Sequence, residues 1–284
     1  MDNLLRPPCA YQGGKQRIAS KIVDVIFEQN NIDNNTRFYD LCCGSGSISL
    51  ELIKRGILPN NITMVDKSPW GLFYKMVGNG SFSTDIFEEC INNIPKDVTL
   101  IKDYVQSMSK EYADDSVFGS AVYKFLILQA CAFGSSATWI EDFKWKKSGG
   151  FRNYWLPTET SNRRSPVNPM MPMPKSLLER VHKLCNNLNG IIGHYDFIKD
   201  IKIKESSIVY IDPPYKGTAY YGYDVGSISE LIKGINNCKI YVSESYSLTD
   251  DSLLISSSRK KGGINGERKT NNEEWLSMFD KTYK

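Results

Sequence analysis

Apolar positions recur at helical spacing in residues 15–28, where Ile18, Ile22, Val25 and Ile26 share one face. A short strand is predicted over 37–42, then the turn CGSGS and a helix to about Lys54. Residues 62–65 read as a second strand ending at Asp66. The stripe Val117, Ala121, Phe125, Leu128 predicts a long helix over 114–132. Periodicity then disappears over 134–174, a stretch with Gly149, Gly150, five prolines and Trp139, Trp145 and Trp155. A loop of that length is functional or disordered, and its tryptophans argue against disorder. Periodicity returns with Leu177, Val181, Leu184 and Leu188, an amphipathic helix. Strands are predicted at 190–194, 208–211 and 238–243, with a helix near 227–236. Strands alternating with helices imply an α/β fold with a mostly parallel sheet covered on both faces.

The composition of the 284 residues is that of an ordinary globular chain, 41% apolar and 24% charged. No apolar run approaches the ~20 residues a bilayer requires, and the N-terminal MDNLLRPPCAYQGG lacks the apolar core of a signal peptide. Seven cysteines without a C-x-x-C, and only two histidines, predict reduced thiols and no metal site in a cytoplasmic protein. Cys42 and Cys43 are placed in the first strand, where adjacent side chains point to opposite faces and cannot form a redox pair. The net charge of +3 is unevenly spread. Residues 143–183 carry an excess of seven positive charges and 259–269 an excess of four. Two basic segments on an otherwise acidic chain fit either a polyanion partner or solvated lysine-rich loops.

Three stretches carry candidate chemistry. FYDLCCGSGSISL (38–50) is strand, Gly-x-Gly and helix, an arrangement that lets backbone approach a ligand. Ser49 stands where the dinucleotide fingerprint has a third glycine, which weakens an NAD or FAD reading. Asp66 follows Gly46 by 20 residues, where a carboxylate would hold ribose hydroxyls. AYQGGK (10–15) is a second glycine pair before a helix, without the P-loop pattern. IVYIDPPY (208–215) is a buried strand stopped by two prolines, so that Asp212 and Tyr215 leave the sheet edge side by side.

In this fixed order, together with YDF at 195–197, these motifs resemble the Dam-like (D12 class) N6-adenine-specific DNA methyltransferases over residues 8–243. RSPVNPM (164–170) and RKKGGINGERK (259–269) are similar to phage-encoded members. The resemblance implies a Rossmann-like S-adenosylmethionine-dependent methyltransferase fold with an inserted target-recognition domain. The expected organisation is a cofactor-binding part over 1–113, a helix plus recognition region over 114–184, and a C-terminal catalytic part over 185–284. It further implies transfer of a methyl group to adenine N6 in double-stranded DNA in a bacterial cytoplasm, as a restriction-modification partner, an orphan regulator or a phage-encoded defence against host nucleases, with a monomer as the default.

By position, the resemblance assigns Tyr11, Lys15, Asp40, Cys42, Gly44, Gly46, Asp66, Asp196 and Phe197 to the cofactor. The family often has Pro-Phe where Leu41 and Cys42 stand here, which removes an aromatic contact to the cofactor. Asp212, Pro213, Pro214 and Tyr215 match the catalytic tetrad. The Asp212 carboxylate and Pro213 carbonyl would each accept an N6–H of a flipped-out adenine on which Tyr215 stacks. The basic candidates for DNA are Lys144, Lys146, Lys147, Arg152, Arg163, Arg164, Arg259, Lys260 and Lys261. Trp139 and Trp155 are expected in a buried cluster that holds the insertion together. Alternatives are methylation of cytosine N4, against which Asp212 in place of serine counts, methylation of RNA adenine, and a silent DNA-binding relative. An NAD enzyme is disfavoured by Ser49.

Overall fold

The fold is a computed structural model that describes residues 5–116, 119–214, 228–260 and 270–282. Its framework is set by three short apolar runs. β1 (Phe38–Leu41), β2 (Ile62–Val65) and, later in the chain, the strand Ile208–Ile211 are buried at every position. Strands buried on both faces belong in the interior of a parallel sheet.

Helix α1 (Ala19–Glu28) precedes β1, and α2 (Ser47–Lys54) and α3 (Pro69–Gly78) follow β1 and β2. α3 starts with Ser68, whose hydroxyl accepts from the Trp70 N–H, and with Pro69 in the first turn, where its missing N–H costs nothing. α4 (Thr84–Asn92), α5 (Ile101–Met108) and α6 (Ala121–Cys131) then build up one face. The antiparallel hairpin β3 (Thr138–Glu141) and β4 (Lys144–Lys147) comes next, followed by α7 (Pro174–Asn187) and β5 (Ile192–His194). β6 (Ile208–Ile211), α8 (Ile228–Gly234), β7 (Lys239–Glu244), β8 (Ser252–Lys260) and β9 (Thr270–Asp280) complete the order.

Among the described residues the main sheet runs β5-β2-β1-β6-β7-β9-β8. The first five are parallel, while β9 lies antiparallel between β7 and β8. From β1 the chain winds outward to β2 and β5, then returns to place β6 on the other side of β1. The carboxyl ends of β1 and β6 therefore flank the topological switch point, where ligands of open α/β sheets bind.

Alternation along the strands gives two cores. Phe38, Ile62, Met64, Ile208 and Tyr210 face α1–α3, α6 and α7. Leu41, Val65, Val209, Ile211 and Val242 face the α8 side with Ile198 and Ile232. α7 contributes Leu177, Val181 and Leu184, followed by Leu188, all fully buried. Each is worth about 1.5–3 kcal/mol relative to an exposed side chain. Phe125 of α6 meets the fully buried Trp70 edge-on at 5.0 Å. The flanking helices of the 114–184 segment thus share one core with the sheet.

Four sequence expectations change. The helix expected from residue 114 begins at Ala121. Ahead of it the Asp114 side chain accepts from the Ser116 N–H at 3.0 Å, and Gly119 packs so tightly that a Cβ would lie 2.3 Å from the Asp114 carbonyl oxygen. Val117, part of the predicted stripe, lies outside the described residues. The segment without periodicity contains the β3–β4 hairpin, whose two turn residues Asp142 and Phe143 have φ of 49° and 57°. That is a tight two-residue turn built without the Asn-Gly that usually signals one.

Cys42 is not in the strand: β1 ends at Leu41, and Cys42 turns with φ 60°. All seven cysteines are free thiols. Burial and the neighbouring Asp66 push both Cys42 and Cys43 up, so neither is poised as a thiolate. Lastly, Trp155 is 37% exposed, whereas Trp139 and Trp145 are buried. Trp155 joins the insertion through backbone bonds to Val167 rather than through its ring.

Candidate active site

The first glycine turn closes on itself before it can hold anything else. Asp40, buried inside β1, accepts from the Ser49 hydroxyl at 2.7 Å and the Ser49 N–H at 3.2 Å, so it fixes the start of α2. Burial, only partly offset by these bonds, pushes its carboxyl up to about 7. A carboxyl whose folded value lies above its ordinary 3.8 stabilises most where it is protonated in both states. Stability therefore declines as pH rises from about 4 to about 7. Asp40→Asn keeps an acceptor for Ser49 and should flatten that decline by the share of one proton, read from thermal melts over this range.

Cys42, Gly44 and Gly46 all have positive φ, 60°, 48° and 78°. At Gly46 a Cβ would lie 2.4 Å from the Tyr74 hydroxyl, which donates to the Ser45 carbonyl at 2.6 Å. The second glycine is thus demanded by internal packing. Gly44 presents its N–H to Asp66 Oδ2 at 2.7 Å, and the other Asp66 oxygen accepts from the Ser68 N–H at 2.7 Å. Asp66 is buried, and each carboxylate oxygen can accept more than one hydrogen bond. A vicinal diol, two donors side by side, fits such a group.

Tyr11 lies against the same turn. Its ring carbons are 3.2 Å from where a Gly44 Cβ would be, and it meets Trp70 edge-on at 5.7 Å. The cluster of Ala137 and Trp139 packs against Tyr11 from the insertion side. Asp196 is exposed and Phe197 half-buried, on the loop after β5, which Asp66 joins through its N–H to the His194 carbonyl at 3.1 Å. Two residues that the motifs do not contain complete this side. The Lys67 ammonium lies over the rings of Tyr195 and Phe197 at 4.8 and 4.9 Å. Tyr195 donates to Asp115 Oδ2 at 2.8 Å, which ties the turn ahead of α6 to the loop after β5.

Across the switch point, β6 delivers the DPPY segment. The Asp212 N–H donates to the Leu41 carbonyl at 3.1 Å, the last rung before the prolines end the ladder. Pro213 is buried and Pro214 half-buried. Lys15, expected at the cofactor, reaches Asp212: its ammonium donates to Oδ1 at 2.6 Å and to the Gly13 carbonyl at 3.1 Å. It also pairs with Glu274 of β9 at 3.5 Å. Burial pushes Asp212 up to about 6, with Lys15 opposing and Glu274 and Glu244 adding to the rise. Lys15 and Asp212 are separated by 197 positions, so only the fold makes them a pair. Tyr215 lies outside the described residues.

The two halves, a carboxylate-lined glycine turn and a carboxylate on a proline-stiffened corner, sit on adjacent strands in register, Leu41 beside Ile211. The model of the D12 class N6 adenine-specific DNA methyltransferases matches residues 160–270, which contain Asp196, Phe197 and Asp212 to Tyr215. The chain carries a D12 class methyltransferase domain over these residues. It is an adenine-specific DNA methyltransferase that takes its methyl group from S-adenosylmethionine. No match is found among the curated proteins. The matched range leaves the N-terminal half of the site, Tyr11 to Asp66, to be read from its geometry.

The basic candidates separate by environment. Lys144, Lys146 and Lys147 of β4 are exposed, as are Arg163 and Arg164. Arg152 turns inward, with Nε donating to the Ala132 carbonyl at 3.0 Å. Arg259 and Lys260 lie on β8, described by their backbone alone, and Lys261 lies outside the described residues. Among the described residues no helix is long and apolar enough to cross a membrane, and no group of three or more His, Cys, Asp or Glu is placed to hold a metal.

Proposed function

We propose that this D12 methyltransferase acts on an adenine extruded from double-stranded DNA, with Asp212 and the Pro213 carbonyl as the acceptors of its two N6 hydrogens. The observation that carries the reading is the seating of Asp212: mostly buried, held by Lys15, and fixed to β1 beside the glycine turn. Adenine N6 is a weak nucleophile because its lone pair is delocalised into the ring. Two fixed acceptors favour a pyramidal nitrogen and stabilise the positive charge that grows on it, and preorganisation makes them effective. Extruding the base costs about a few kcal/mol in lost stacking and pairing. Tyr215 is the residue to stack on it.

Asp66 is the residue to accept from the ribose hydroxyls of S-adenosylmethionine, with Tyr11, Gly44, Asp196 and Phe197 around the rest of the molecule. Bound there, S-adenosylmethionine supplies an electrophilic methyl group on a sulfonium. Asp40, Cys42 and Gly46 shape the turn from behind. Radiolabelled S-adenosylmethionine crosslinked to the protein should label peptides from 10–15, 40–46 or 195–197. Label confined elsewhere contradicts this placement.

Residues 114–184 are the proposed recognition region, and the exposed lysines of β4 with Arg163 and Arg164 are its phosphate partners. Arg152 is assigned to holding the insertion on α6. Replacing Lys144, Lys146 and Lys147 by alanine should weaken DNA binding and reduce the slope of log K against log salt by about one for each phosphate no longer neutralised. An unchanged slope takes β4 out of the interface. We further propose a monomeric enzyme, which light scattering with and without DNA tests directly.

A further inference from the structure

The last two strands carry a residue toward the reacting centre that no motif contains. β9 pairs with β7 only from Trp275 opposite Glu244 to Asp280 opposite Lys239. Residues 270–274 pair with β8 alone. β7 is parallel to β6, with Val242 beside Ile211, so Glu244 lies at the same end of the sheet as Asp212. The β8–β9 ribbon therefore continues past the catalytic end of β7, and Glu274 is its first residue beyond that end. There its carboxylate pairs with Lys15 at 3.5 Å, while the same ammonium bonds Asp212 Oδ1 at 2.6 Å. Lys15 and both carboxylates are largely shielded, with side chains 7%, 17% and 15% exposed, so solvent screens the triad little.

We propose that Glu274 is a positioning residue for methyl transfer: through Lys15 it fixes the Asp212 carboxylate, which leaves Oδ2 to accept an adenine N6–H. The proposal rests on Asp212 as the N6 acceptor. A lysine held by Asp212 alone could follow that carboxylate through its rotamers. Anchored also to β9 and to the Gly13 carbonyl, it defines one orientation. Glu274 also limits how strongly Lys15 neutralises Asp212, because the ammonium is shared between two carboxylates.

Among the described residues, the charged and titratable groups around Asp212 are Lys15 ahead of α1, Glu274 on β9, Glu244 at the end of β7, Asp40 on β1, the Cys42 thiol after β1 and the Tyr210 hydroxyl on β6. Asp212 balances the growing charge on N6 only when ionised, so turnover falls as pH drops through its value of about 6. Removing the negative Glu274 makes ionisation easier and moves that acid limb to lower pH. Removing the positive Lys15 moves it to higher pH.

The experiment is single-turnover methyl transfer against pH and against DNA concentration, at saturating S-adenosylmethionine, for the wild type, Glu274→Gln, Glu274→Asp, Lys15→Met and Asp212→Ala. Glu274→Gln should lower the rate by roughly tenfold with KM for DNA little changed, because only the orientation of a reacting group is lost. Its acid limb should shift down, that of Lys15→Met should shift up, and Glu274→Asp should recover the wild-type limb and part of the rate. A wild-type rate and limb in Glu274→Gln, or limbs shifted in the same direction in the glutamate and lysine variants, overturns the proposal. Turnover retained in Asp212→Ala marks failure of the underlying assignment. A dead Asp212→Ala with an unmoved limb in Glu274→Gln marks failure of the positioning role alone.

Discussion

Asp212→Ala should reduce methyl transfer by about 10²–10³-fold or more, the scale of losing one preorganised electrostatic partner of a transition state. S-adenosylmethionine affinity should stay within a few-fold of the wild type, because Asp212 follows β6 while the glycine turn and Asp66 follow β1 and β2. The variant also leaves Lys15 with Glu274 as its charged partner, so the fold loses one buried ion pair but gains no orphaned ammonium. Thermal melts should therefore show a folded protein, and calorimetric titration an occupied cofactor site. Near-normal turnover would remove Asp212 from the reaction. Asp212→Asn is the sharper companion: it keeps the shape and one acceptor oxygen but loses the charge that balances the growing cation on N6.

The second large effect is expected at Asp66. Its two oxygens hold the N–H groups of Gly44 and Ser68, so one side chain fixes the glycine turn and the start of α3 together. Hydrogen bonds to a buried carboxylate are each worth about 1.5–3 kcal/mol. Asp66→Ala should thus loosen the turn and also delete the ribose acceptor. S-adenosylmethionine affinity should fall roughly 100-fold, equivalent to about 2.7 kcal/mol. Titration calorimetry reads this directly, and raising the cofactor concentration should recover part of the rate, which it cannot do for Asp212→Ala. An unchanged dissociation constant would place the ribose elsewhere.

How far the sequence foretells this site depends on what each residue's signal rests on. IVYI followed by two prolines announces a buried strand with an abrupt end, and β6 ends there. Leu177, Val181, Leu184 and Leu188 announce α7 because the spacing of their burial is that of the helix itself. Asp66 is legible from its distance to the glycine turn, which the parallel register of β1 and β2 converts into proximity. Lys15 stands out in its motif, yet its partner does not, since a pairing across 197 positions exists only after the sheet has formed.

The hairpin turn at Asp142 and Phe143 is hidden because aspartate and phenylalanine carry none of the glycine signal for positive φ. Glu274 is hidden for another reason. The first five residues of β9, Thr-Asn-Asn-Glu-Glu, read as a polar loop, and a two-stranded ribbon beyond the sheet has no apolar face to impose alternation. The sequence pattern also puts Cys42 one residue inside the strand, an error that only the φ of 60° exposes.

The most direct test is methyl transfer from labelled S-adenosylmethionine to unmethylated duplex DNA, with the product digested to nucleosides. The account predicts label in N6-methyldeoxyadenosine from the DNA strands, formed at least about a hundredfold more slowly when Asp212 is replaced by alanine. Label in N4-methyldeoxycytidine, or in adenine made equally well by the Asp212 variant, would contradict it.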